Sequence, residues 1–133
     1  SATLMPRKLT SHRTSPLNKE IEITAHDECP GTGGAPAVYG MTLTRQGESG
    51  LALTETCSIR FQNGPCPTPE GYNGFTIEAL LAIVEDKLTC HQQSSFACRE
   101  NACALTHLQE CMMWLGKRTR DREQRGVEGT LVK

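Results

Sequence analysis

The chain has 133 residues, a net charge of −1 and an aromatic content of 5%. That length holds one ordinary domain, or a small sheet and a helical hairpin sharing a core, and so few large rings build a core that oligomerisation is expected to complete. The near-zero charge argues against binding long nucleic acid, which calls for a clear excess of Lys and Arg.

Seven cysteines are present. The number is odd, and Cys90, Cys98, Cys103 and Cys111 fall in or beside expected helices without the spacing of a disulfide scaffold, so reduced thiols in a cytosolic protein are expected. No secretory signal is expected at the start. The longest aliphatic run, residues 79–84, is too short to span a bilayer, and no membrane partner is expected.

In chain order, residues 1–17 mix Ser, Thr, Pro and basic side chains without periodicity, which reads as a disordered leader. Residues 18–70 read as a small sheet region. Residues 20–24 alternate polar and apolar, the pattern of a half-buried strand, and residues 30–36 follow as a Gly- and Pro-rich loop. Residues 38–44 and 51–56 are two further strands around a turn at 46–50, and residues 57–62 are a fourth. Residues 63–74, rich in Pro and Gly, lead to the helices.

Residues 71–133 read as a helical hairpin with a basic C-terminal end. The first helix begins near Thr76, whose hydroxyl can cap free amides, and Ile77, Leu80, Leu81, Val84 and Leu88 form its apolar stripe. Ser94 or Ser95 is the expected cap of the second helix, along which Ala97, Ala104, Leu105, Leu108, Met112 and Leu115 repeat. A loop of about four residues makes the pair antiparallel. The expected fold is α+β, a small N-terminal antiparallel β-sheet followed by a C-terminal antiparallel helical hairpin, in an oligomer.

Charge is concentrated at the end of that hairpin. Between Lys117 and Arg125 five basic residues stand with two acidic ones, whereas Glu20, Glu22, Asp27 and Glu28 lie in the first half. Arg118 and Arg122 are four apart, one turn along one face if the helix persists, and their planar forks suit a diphosphate or two oxyanions. The other reading is a solvated helix end whose cations complement the macrodipole.

Weaker signals have two readings each. Cys103, His107 and Cys111 offer soft ligands on one helix face, but helix packing explains them better and no metal is expected. Gly31-Thr32-Gly33-Gly34 reads as a turn more readily than as a phosphate cradle, since no Lys-Ser or Lys-Thr pair follows. His91 and Phe96 at the hairpin tip either stack on a base or plug the end of the helix pair. Asn101, beside Arg99, either reads a ligand edge or satisfies a backbone group. No nucleophile with base and orienter assembles from these residues, so neither an enzyme nor a cofactor is expected.

The segments 71–84, 96–102 with 104–106, Trp114-Leu115, 117–122 and 125–130 resemble the helical-hairpin domain of phage anti-defence sponges. The anti-CBASS sponge and the first Thoeris anti-defence protein share that hairpin. The sheet-like first half, with residues 21–25 and 58–65, looks like the Thoeris branch. The resemblance implies sequestration, without cleavage, of cyclic ADP-ribose isomers, in some members also of cyclic di- or trinucleotides, in the cytoplasm of the infected bacterial host. Dimers assembling to hexamers are implied as well.

Carried onto this sequence, the resemblance places pyrophosphate-gripping arginines at Arg118 and Arg122, a polar ligand contact at Asn101 and the stacking ring at His91, where relatives more often have Phe. Phe96 and Arg99 are the neighbouring candidates. Arg60 and Thr119, with Thr76 behind them, are the candidates for a separate cyclic-nucleotide site. The alternative function is a small oligomeric nucleic-acid or protein-binding module that uses the basic helix end. The tail, residues 126–133, is expected to fold over a neighbouring protomer.

Overall fold

The computed structural model describes residues 6–26 and 34–133. Its elements are β1 (Arg7–Leu9), α1 (Pro16–Lys19), β2 (Ile21–Ala25), β3 (Val38–Gln46), β4 (Ala52–Arg60), a 3₁₀ turn (Pro69–Gly71), α2 (Ile77–Gln92) and α3 (Arg99–Gln124). The fold is α+β, as expected, in two compact units: a sheet unit, Ser1–Gly64, and a helical unit, Pro65–Lys133.

The sheet is an antiparallel meander in the order β1-β2-β3-β4. β3 and β4 pair along their whole length, from Val38 opposite Arg60 to Gln46 opposite Ala52. Residues 51–56 and 57–62, expected as two strands, are therefore one continuous β4. No Gly, Pro or Asn occurs anywhere in Ala52–Arg60 to turn the chain, so the ladder runs on. Gly50 closes the β3–β4 hairpin at φ 80°, in the left-handed region, with its N–H donated to the Gly47 carbonyl at 3.0 Å. Residues 30–33 of the Gly-rich loop lie outside the described residues.

The fourth strand comes from the segment expected to lack structure. β1 pairs with β2, and Lys8 Nζ donates to Glu22 at 3.2 Å and Thr24 at 2.8 Å. Ser15 Oγ then accepts the Asn18 N–H and Pro16 opens α1, a pairing of cap and first-turn proline. The His12 ring bonds the Ile21 carbonyl through Nε2 at 2.7 Å, fastening this stretch to β2. Its order comes from pairing with a neighbouring strand and not from apolar periodicity, which is why composition misses it. The buried apolar side chains among the described residues are two small ones, Ala25 and Ala37.

In the helical unit Thr76 caps α2 as expected, its Oγ accepting the Ala79 N–H at 3.1 Å. The start of α3 differs from expectation. The Gln92 side chain grips the backbone of Cys98 twice, Nε2 donating to the carbonyl and Oε1 accepting the N–H, each at 3.1 Å. Ser94 is spent inside the turn, donating to the His91 carbonyl and accepting the Phe96 N–H. These side-chain bonds hold residues 93–98 outside the helix, a longer connection than expected, and Cys98 Sγ becomes the cap by accepting the Asn101 N–H at 3.4 Å. Ala97, expected on the helical repeat, precedes it.

α3 ends in a Schellman motif. Gly126 stands at φ 71°, its N–H donated to the Glu123 carbonyl, while Val127 N–H reaches the Arg122 carbonyl, both at 3.0 Å. Neither α2 nor α3 contains a buried residue. Leu105, Leu108, Met112, Leu115 and Thr119 form the half-buried stripe of α3, whereas Ala104, His107, Cys111, Trp114 and Arg118 lie exposed around the cylinder from it.

Candidate functional site

Two grooves mark opposite ends of the helical unit. The groove at the tip, about 440 Å³, is lined by Ile83, Val84, Lys87, Leu88 and His91 of α2 and by Asn101 of α3. The Gln92 clasp on Cys98 sets where α3 starts, and so brings Asn101 beside the last turn of α2. His91 meets Phe96 edge to face, ring centroids 6.3 Å apart, and Phe96 itself is 73% exposed. Phe96 therefore steadies the imidazole without closing the end of the pair. Arg99, at the first position of α3, is exposed and has no partner among the described residues.

The groove at the basic end, about 490 Å³, is lined by Trp114, Lys117, Arg118, Asp121, Arg122 and Arg125 of α3 and its end, together with Lys133. Its cations are in different states. Lys117 Nζ is paired with Asp121 at 2.6 Å. Arg122, its side chain only 19% exposed, is held by the tail: Nε donates to Glu128 at 3.1 Å, Nη2 to the carbonyls of Val127 at 2.9 Å and Thr130 at 3.0 Å, and Nη1 to that of Val132. Four of its five N–H groups are thus taken. Arg125 Nη2 donates to the Lys133 carbonyl. Arg118 has no partner among the described residues and is exposed.

The tail, expected to cross to a neighbouring chain, folds back on its own α3 through those bonds. Gly129, at φ 77°, passes so close to the start of this unit that a β-carbon there would sit 3.7 Å from the Cys66 backbone. Because α3 persists to Gln124, Arg118 and Arg122 do stand one turn apart on one face. Asn101 and Arg118, however, are 17 residues apart on one continuous helix, about 26 Å at 1.5 Å per residue. The two groups of ligand candidates cannot meet on one small ligand within one chain.

The remaining candidates are scattered. Thr76 has committed its hydroxyl to the α2 cap. Thr119 is half-buried on α3, while Arg60, exposed, ends β4 in the sheet unit. Cys103, His107 and Cys111 are exposed, and no group of three or more potential ligands among the described residues is placed to hold a metal ion. Sequence reasoning missed Trp114 as a groove residue, although its place four before Arg118 is the signal that could have found it. It also missed the tail as the partner of Arg122.

A helical hairpin with an apolar-lined groove at its tip and a guanidinium groove at its far end, following a four-stranded antiparallel sheet, places the chain among small α+β proteins. The chain belongs to the family described as Acb2/Tad1, hairpin domain, which matches residues 54–120, half of its length. That match contains His91, Asn101 and Arg118 and stops before Arg122. Among its relatives is the protein named Thoeris anti-defense 1 of Bacillus phage SBSphiJ7, 55% identical over 73 residues. The shared stretch is 55% of this chain and 51% of the relative, so the chain spans about half the length of that protein.

Proposed function

We propose that the chain is a phage anti-defence sponge that binds and sequesters, without cleaving, cyclic nucleotide immune signals. Cyclic ADP-ribose isomers are its first ligands, with cyclic di- and trinucleotides as further ones. Family membership supports the anti-defence role, and one observation carries the binding: in a groove where Lys117, Arg122 and Arg125 are engaged, Arg118 keeps an open guanidinium. A planar fork of that kind takes two oxygens of a phosphate at once. His91 and Asn101, sharing the groove at the tip, offer a ring face and an amide edge for a base.

The separation of about 26 Å decides how such a ligand is held. Two copies that align α3 antiparallel bring the tip of each alongside the basic end of the other, giving two sites per dimer. The midpoint between Asn101 and the Arg118–Arg122 pair falls near Cys111. Hexamers built from these dimers complete the proposed assembly, in the cytoplasm of the infected host, where the signal is made. Arg60, Thr119 and Thr76 remain separate candidates for contacts to further cyclic nucleotides, Thr76 the weaker for being a cap.

A sponge acts by titration, so its affinity must exceed what the signal concentration demands; nanomolar binding corresponds to about −12 kcal/mol. Isothermal titration with cyclic ADP-ribose isomers, then heat release of the bound nucleotide and chromatography, tests the reading. Saturable heat and an unchanged nucleotide are expected. A changed nucleotide would make the protein an enzyme. Failure to bind any cyclic nucleotide, with salt-sensitive binding to polyanions of any sequence, would favour the nucleic-acid module instead.

A further inference from the structure

The groove at the basic end contains one large apolar side chain that neither the fold nor the proposed phosphate contacts account for. Trp114 is the chain's single tryptophan and is 64% exposed, although an indole is among the side chains that gain most from burial. It lines the groove one helical turn before Arg118. Side chains four apart on a helix are neighbours on one face, with β-carbons about 6 Å apart. An aromatic plane and an open guanidinium therefore border one cavity at a spacing that suits a nucleobase and the phosphate attached to its ribose. Lys117, Arg122 and Arg125 are occupied by Asp121, by Glu128 with the tail carbonyls, and by the Lys133 carbonyl respectively. Asp121 is neutralised by its own lysine, so it does not repel an anion at Arg118.

We infer that Trp114 is a stacking platform: it covers the flat ring of the nucleotide whose phosphate Arg118 holds. The groove then selects a base joined to a phosphate over inorganic pyrophosphate. The inference rests on the proposed cyclic-nucleotide binding and adds a specificity-determining residue to it. Base stacking on an aromatic side chain changes affinity by roughly ten- to a hundredfold.

The single tryptophan makes the test direct. The full chain is titrated with a cyclic ADP-ribose isomer and, separately, with inorganic pyrophosphate, and emission is followed beside calorimetry. The nucleotide is expected to change the emission with the same midpoint as the heat, and pyrophosphate to leave it unchanged. By calorimetry, Trp114→Phe should stay within a few-fold of the parent, and Trp114→Ala should lose about ten- to a hundredfold with an unaltered elution volume. Parental affinity in Trp114→Ala would overturn the inference while leaving the sponge standing. A changed elution volume in that variant would place the indole in an interface between copies and overturn it too. Absence of heat with every cyclic nucleotide would instead remove the reading beneath it.

Discussion

Arg118→Ala is expected to weaken binding of a cyclic ADP-ribose isomer by about a hundredfold or more, with the melting temperature unchanged. Two charge-assisted hydrogen bonds from one fork are worth about 3 kcal/mol together, and RT at 25 °C converts that into more than two decades of affinity. The folded chain loses nothing comparable. Arg118 is exposed, makes no hydrogen bond or ion pair among the described residues, and sits inside α3, where Ala is the best helix former. Arg118→Lys should recover only part of the loss, because an ammonium supplies the charge without the planar pair of donors. Parental affinity in the alanine variant would remove Arg118 from the site.

Arg122→Ala is expected to behave differently, as a structural lesion first. Its guanidinium gathers Glu128 and the carbonyls of Val127, Thr130 and Val132, and its side chain is mostly covered. Removing it should free the tail, seen as new protease cleavage within residues 127–133, and cost about 1–3 kcal/mol of stability. A truncation after Gly126 should weaken ligand binding by the same factor as Arg122→Ala, since both remove the Lys133 wall of the groove. A much larger loss in Arg122→Ala than in the truncation would show that its guanidinium touches the ligand directly. A protected tail and parental melting would contradict the clamp altogether.

Much of the helical unit was legible in the sequence, because long amphipathic helices advertise themselves by their period. Thr76 as cap and the stacked pair Arg118 and Arg122 follow from residue spacing alone. The sheet was legible where side chains alternate, in β2 and β3, and less so in β1, whose order depends on β2 and on Lys8 reaching Glu22 and Thr24. Cys98 was overlooked as a cap because thiols rank below hydroxyls in that role. The deciding contact, Gln92 across the turn, is not local in pattern. The tail was hidden for a related reason: backbone carbonyls carry no sequence signature, so the partners of Arg122 appear only when the chain is folded.

Spacing also concealed a distance. His91, Asn101, Arg118 and Arg122 read along the sequence as one list of ligand contacts, yet a continuous α3 holds its two ends apart. Both helices leave apolar side chains in solvent, with Ile83 and Met113 more than half exposed. The hairpin is thus short of buried surface, and the antiparallel second copy proposed above would cover it and complete the proposed site together.

That one ligand spans two chains is tested most directly with a mixed dimer. A chain carrying His91→Ala and Asn101→Ala is co-expressed with a chain carrying Arg118→Ala, each with its own affinity tag, and the mixed species is isolated by sequential capture. Calorimetry should find binding weakened by about a hundredfold or more in either homodimer and one ligand per mixed dimer at parental affinity, because one of its two sites joins an intact tip to an intact basic end. A mixed dimer that binds nothing would contradict the account, since a site confined to one chain is broken in both partners.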